Sequence, residues 1–295
     1  VDSIMTFAMG GAYWDTSMKK FALSCPVILG NFPAYALIYR RGYIPEAKTV
    51  IRQEVPLEDL YALKGSGGAA EQNLDEFRRA DVPPGETAEG GVNAIDPLAY
   101  YVGRVVRGYG DDPSKSFQLN LAEHIDRESN TIASINGLLE WDYGRGVSTM
   151  DASHAQGAAG FLGEAGEIRL TDIALHVQND YASLVAVSLD GKPLADSSKI
   201  LIQAMTVERP YGFEASNGDS GRIESLGEPP FGVEKIDATV TILDAGSAEV
   251  IALDENGMPR ETDVATRAGS DGATIIELKE DSVYHIVRRR RLSSA

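Results

Sequence analysis

Cysteine is almost absent. Cys25 is the single one in 295 residues, so no disulfide can form within the chain. The fold must stand on packing, and cysteine usage does not fix a redox compartment. Long apolar runs are missing as well. None reaches the ~18–20 residues of a membrane-spanning helix, so no membrane is expected as a partner. Aromatic residues make up only 7%, with two tryptophans. Basic residues are outnumbered, 27 Lys and Arg against 44 Asp and Glu, for a formal charge of −17. Phosphate backbones are bound by clustered Lys and Arg, so this balance argues against nucleic acid. It also makes a neutral polymer a more natural ligand than a highly sulfated one.

What is present is ordinary for a globular protein: 43% apolar and 24% charged residues. The length suggests about two domains at ~100–200 residues each. Ile4 to Met9 is a short apolar run ended by Gly10-Gly11, as in a strand buried on both faces. Phe21 to Tyr39 is too long for one strand and reads as a buried helix. Pro26 and Pro33 predict a kink or two shorter helices, and Arg40-Arg41-Gly42 supplies a helix stop. Residues 1–42 therefore read as one βα unit, which cannot bury its own faces. The expectation is the C-terminal portion of a longer α/β protein.

Residues 43–130 read as a mixed connecting region. It has a strand over Thr49–Val55, a short helix over Leu57–Lys64 and a second helix over Asp96–Gly108. From Thr131 the pattern becomes all-β, with short Val, Ile, Leu and Thr runs between turns every ~8–12 residues. Ile132–Trp141 reads as one of these strands, and Asp190-Gly191 as a tight hairpin turn. Residues 131–288 form the expected β-sandwich, and 289–295 a solvated basic tail. The fold class read from the sequence is α/β plus all-β: the last βα unit of a (β/α)8 barrel, a mixed linker, and an antiparallel sandwich.

Few residues stand out for chemistry. Tyr13, Trp14 and Asp15 follow the first strand, where loops of parallel α/β folds build sites. Aromatic faces suit the C–H side of a pyranose, and a carboxylate can bind its hydroxyls. Glu54, Glu58 and Asp59 lie close together but read as a solvated face. His124, His154, His176 and His285 are too far apart for metal-ligand spacing. Cys25 reads as lying inside the apolar helix, with no basic neighbour closer than Lys19 and Lys20 to activate it, and so as a buried structural thiol. The turns Asn217–Gly221 and Asp254–Gly257 carry oxygens suited to calcium, without EF-hand spacing. No cofactor is expected, and a structural calcium has no motif behind it. Trp141, Tyr143 and Tyr181 are the few sandwich aromatics able to form a glycan-binding row.

Gly157-Ala158-Ala159-Gly160-Phe161-Leu162-Gly163, Ser188–Leu194, Lys199–Ala204 and Phe32–Gly42 together carry a resemblance. They resemble the C-terminal region of bacterial glycoside hydrolases with a (β/α)8 barrel and β-sandwich domains. Glycoside hydrolase family 86, the β-agarases and β-porphyranases, is the nearest such family. The resemblance runs across most of the chain and is more specific for the architecture than for the family. It implies a secreted or periplasmic endo-hydrolase of an algal galactan, acting by a retaining two-glutamate mechanism. The partners implied are a neutral or weakly charged polysaccharide and the remainder of the barrel. The catalytic glutamates of such barrels lie on the fourth and seventh strands, which are expected before Val1. The resemblance therefore assigns no catalytic residue here. Trp14 matches the sugar-stacking aromatic of the last barrel strand, with Tyr13 and Asp15 beside it. The alternative is a non-catalytic carbohydrate-binding or structural β-sandwich module.

Overall fold

A computed structural model describes residues 9–11, 21–22, 25–61, 95–110, 112–216, 222–243 and 246–290. The chain divides into two compact units: Val1–Pro45 with Arg145–Ala295, and Glu46–Gly144. The elements run in chain order as follows. First come β1 (Met9–Gly11), β2 (Phe21–Ala22) and α1 (Pro26–Arg41). The second unit holds β3 (Thr49–Val55), α2 (Leu57–Tyr61), α3 (Ala99–Val102), β4 (Arg104–Tyr109), β5 (Phe117–Gln118), β6 (Ile125–Asp126), β7 (Thr131–Ala133) and β8 (Leu139–Asp142). The first unit resumes with β9 (Val147–Ala152), β10 (Ala155–Gly160), β11 (Glu167–Arg169), β12 (Ile173–Val177), β13 (Ala182–Ser188) and β14 (Lys199–Met205). It continues through β15 (Glu208–Ala215), β16 (Ile223–Val233), β17 (Ala238–Ile242), β18 (Ser247–Leu253) and β19 (Pro259–Asp263). It closes with β20 (Thr266–Ala268), β21 (Thr274–Glu277) and β22 (Tyr284–Arg290).

The first unit is a sandwich. Its larger sheet has the order β19-β18-β22-β14-β13-β10-β9, and its smaller sheet β11-β12-β17-β21-β20. Neighbouring strands within both sheets pair antiparallel. Alternate residues point inward, as a period of two requires. Leu184, Ile200, Ile202 and Val287 of the larger sheet share one core with Ile173, Leu175, Val240 and Ile276 of the smaller. β15 and β16 form a separate two-stranded ribbon.

The expected barrel unit is not there, which corrects the fold class. The protein is built mainly of antiparallel strands, and no barrel βα unit is evident among the described residues. Among the described residues, β1 and β2 pair with each other, in parallel, and with no other strand. Helix α1 packs on β13 and β14 of the sandwich. Its buried face is Gly30, Ala34 and Ile38, small enough at Gly30 and Ala34 for close approach to a sheet. The helix is continuous through Pro33, where the sequence predicts a kink or two shorter helices. Gln203 of β14 explains why. Its Oε1 accepts the Ala34 N–H at 3.0 Å, and its Nε2 donates to the Asn31 carbonyl at 3.1 Å. A side chain thus bridges the ladder where proline disturbs it. Gly42, at φ 62°, ends the helix, and the Tyr43 N–H returns to the Ile38 carbonyl.

The second unit is smaller. β3 pairs parallel with β4 and antiparallel with β5, and β6, β7 and β8 form an antiparallel meander. The helix read over Asp96–Gly108 is one short turn, α3, followed by a strand. Gly103 has extended backbone and lies against Val50, where a Cβ would collide with that side chain and with the Lys48 carbonyl. The strand read over Ile132–Trp141 is two strands, β7 and β8, turned at Asn136-Gly137. Asp190-Gly191 opens a longer loop between β13 and β14 and is not a two-residue hairpin. The basic run is not a solvated tail at its start. Arg288 and Arg289 lie in β22, and Arg289 is buried. Its Nε donates to the Ser197 carbonyl at 2.8 Å, and its Nη2 to the Leu194 carbonyl. No helix among the described residues is long and apolar enough to cross a membrane.

Candidate functional site

Tyr13, Trp14 and Asp15 lie outside the described residues, as does the turn Asn217–Gly221. The sandwich aromatics are described, and they fall in different units. Phe161 and Tyr181 meet edge to face in the first unit, with ring centroids 5.2 Å apart. Tyr101, Trp141 and Tyr143 form a chain in the second unit, at 5.8 and 5.7 Å.

The first pair is built by strand register. Gly160 of β10 lies opposite Ala182 of β13, so the residues just beyond each strand end, Phe161 and Tyr181, come together. Gly146 leaves room for the Phe161 ring, since a Cβ there would meet it. Both rings remain open to solvent, at 58% for Phe161 and 46% for Tyr181. An exposed aromatic pair does not serve a core, and it is the kind of feature that marks a contact surface. The second cluster is half-buried. Trp141 lies opposite the buried Ile132 in the β7–β8 pairing.

The carboxylates with perturbed titration are each held by structural partners. Asp172 sits at the entry to β12. Its N–H donates to Gln156 Oε1 at 2.9 Å, and its Oδ2 accepts from Gln156 Nε2 at 2.8 Å. Burial raises its pKa, opposed by the Gln156 hydrogen bond, with Asp151 adding to the rise and Arg289 opposing it. Asp190 is the reverse case. Burial pushes its carboxyl up, but hydrogen bonds from the Ser198 N–H and from hydroxyls of the same loop outweigh this and hold it well below the usual range. Asp112 and Asp126 are lowered by hydroxyl and N–H donors in their own turns. Glu54 of the Glu54, Glu58 and Asp59 run is no solvated residue; it accepts from Arg52 Nε at 2.8 Å.

The remaining candidates are also absorbed by structure. His154 stacks on Tyr43 at 4.7 Å, and Tyr43 donates its hydroxyl to the Ser188 carbonyl. His176 Nε2 lies 2.7 Å from Gln178 Nε2. Cys25 is buried immediately before α1. Asp254 Oδ1 accepts the N–H groups of Asn256 and Met258, so that turn spends its oxygen on its own backbone. Among the described residues no group of three or more His, Cys, Asp or Glu is placed to hold a metal ion.

Sequence reasoning named Tyr181 but missed its partner. Phe161 stood only within a glycine-rich motif, and nothing local to either residue reports the strand pairing that joins them. No family model, no curated protein and no solved structure matches this chain.

Proposed function

We propose that this chain is a non-catalytic β-sandwich module that binds neutral glycan, carried by a secreted or periplasmic galactan-degrading protein. The observation that carries this reading is the exposed Phe161–Tyr181 pair. One ring offers its face to the C–H side of a pyranose while the other braces it from the side. The chain's acidity, −17, favours a neutral galactan over a sulfated one. Asp112, Asp126, Asp172 and Asp190 hold turns and loops, which suits binding better than acid–base catalysis.

Affinity electrophoresis through gels containing agarose tests the proposal directly. The chain should be retarded, and the double change Phe161→Ala with Tyr181→Ala should weaken retention by about tenfold in Kd, roughly 1.4 kcal/mol. The chain alone should release no reducing sugar from agarose. Retardation that is absent, or unaffected by the double change, would remove this site from the reading.

A further inference from the structure

A second feature of the first unit has no part in that reading. A cleft of about 680 Å³ lies between the start of α1, the base of the β15–β16 ribbon and the turn before β22. Its apolar part is formed by Leu29, Met205, Phe231 and Val233. Leu29 and Val233 are 51% and 38% exposed, so the apolar surface continues out of the cleft. Its charged part is unbalanced. Among the described residues, Glu234, Glu255, Glu280 and Asp281 line it against Lys235 and Arg260. Both cations are engaged: Lys235 with Glu280 at 2.6 Å, and Arg260 with Asp281 at 2.9 Å. Glu255 stands farther from the same guanidinium, at 4.0 Å. The described residues of the rim therefore hold two more negative charges than positive ones.

We infer that this cleft is a docking site for a cationic segment of a protein partner, one that offers an aliphatic or aromatic anchor flanked by Lys or Arg. The apolar floor receives the anchor and supplies the non-directional part of the binding. The surplus carboxylates select cations beside it and steer their approach. A second copy of this chain is the wrong occupant, because it brings −17 of its own and an identical acidic rim. An anionic membrane surface is disfavoured by the same sign.

The test uses the full chain and a short synthetic peptide of alternating lysine and leucine with one phenylalanine, followed by calorimetry at physiological salt. A peptide with glutamate in place of lysine is the control. The basic peptide should bind. Glu255→Lys combined with Glu280→Lys should weaken it about tenfold or more, since both side chains border the cleft. The same charge change made at Glu164 and Glu167, which do not line the cleft, should cost under about twofold. Leu29→Ser should weaken binding without unfolding, because that side chain is half exposed. Phe161→Ala with Tyr181→Ala should leave peptide binding unchanged, which separates this site from the glycan reading. Absent binding, equal loss in the two charge-reversal pairs, or equal affinity for the acidic peptide overturns the proposal. Displacement of the peptide by neutral galactan oligosaccharide, or a dimer that the cleft changes dissolve, overturns it as well.

Discussion

His285 Nε2 accepts the backbone N–H of Lys279 at 3.0 Å, with the imidazole fully buried in the first unit. Accepting at Nε2 places the ring proton on Nδ1, so the bond exists only for the neutral ring. Burial, helped by the Arg260 charge and opposed by Asp281, lowers the pKa from 6.5 to about 4. The unfolded chain takes up this proton near pH 6.5, and the folded one only near pH 4. The stability this group confers is therefore complete above pH 6.5 and is lost as pH falls towards 4. The loss is at most about 3 kcal/mol. Denaturant melts across this window should show that slope, and His285→Gln, which keeps an acceptor without a titrating ring, should flatten it. An unchanged slope would place the acid sensitivity elsewhere.

Gln156 and Asp172 join the two sheets. Gln156 lies on β10 of the larger sheet, and Asp172 leads into β12 of the smaller. Their reciprocal hydrogen bonds satisfy both ends of a fully buried amide. Gln156→Leu removes both bonds and leaves a partly buried carboxylate without its donor. The expected cost is about 2–4 kcal/mol, read as a lower urea midpoint. Asp172 should then titrate higher still, because its burial would go unopposed by that bond.

The parts of the fold that were legible in the sequence are those fixed by local pattern. The strand read over Thr49–Val55 is β3, with the same bounds. Arg40-Arg41-Gly42 ends α1 because Gly42 takes the left-handed conformation. The failures come from tertiary context. Leu98, Tyr101, Val102 and Val105 share a helical period, yet Arg104–Tyr109 pairs with β3, whose register no local period encodes. The β15–β16 ribbon escaped notice because Pro210, Gly212, Pro229, Pro230 and Gly232 interrupt any strand pattern. The barrel reading failed at α1, where a glycine-containing apolar helix seats on a sandwich sheet as well as it would on a barrel. Of the candidate site, Tyr181 was visible as an aromatic. Its pairing with Phe161 depends on the β10–β13 register.

Three glycines offer a test of where close approach is rigid and where it yields. At Gly157, in the β10–β13 pairing, an added Cβ would overlap the Leu184 carbonyl. At Gly160 it would overlap the Gly146 carbonyl, on a backbone at φ 128° that other residues rarely adopt. Both obstacles are main chain, the Leu184 carbonyl within β13 and the Gly146 carbonyl accepting the Phe161 N–H at 3.2 Å, so neither gives easily. At Gly30 the added Cβ would meet the Met205 Cε methyl, the far end of a flexible side chain. Alanine there also gains about 1 kcal/mol of helix propensity. Gly157→Ala and Gly160→Ala should each cost about 3 kcal/mol or more, whereas Gly30→Ala should stay within about 1 kcal/mol of the starting protein. Urea midpoints at constant m-value decide it. If Gly30→Ala cost as much as Gly157→Ala, Met205 would have no room to move. α1 would then be clamped to β14 as tightly as the strands are to each other, and Gln203 would be one of several fixed contacts holding it there.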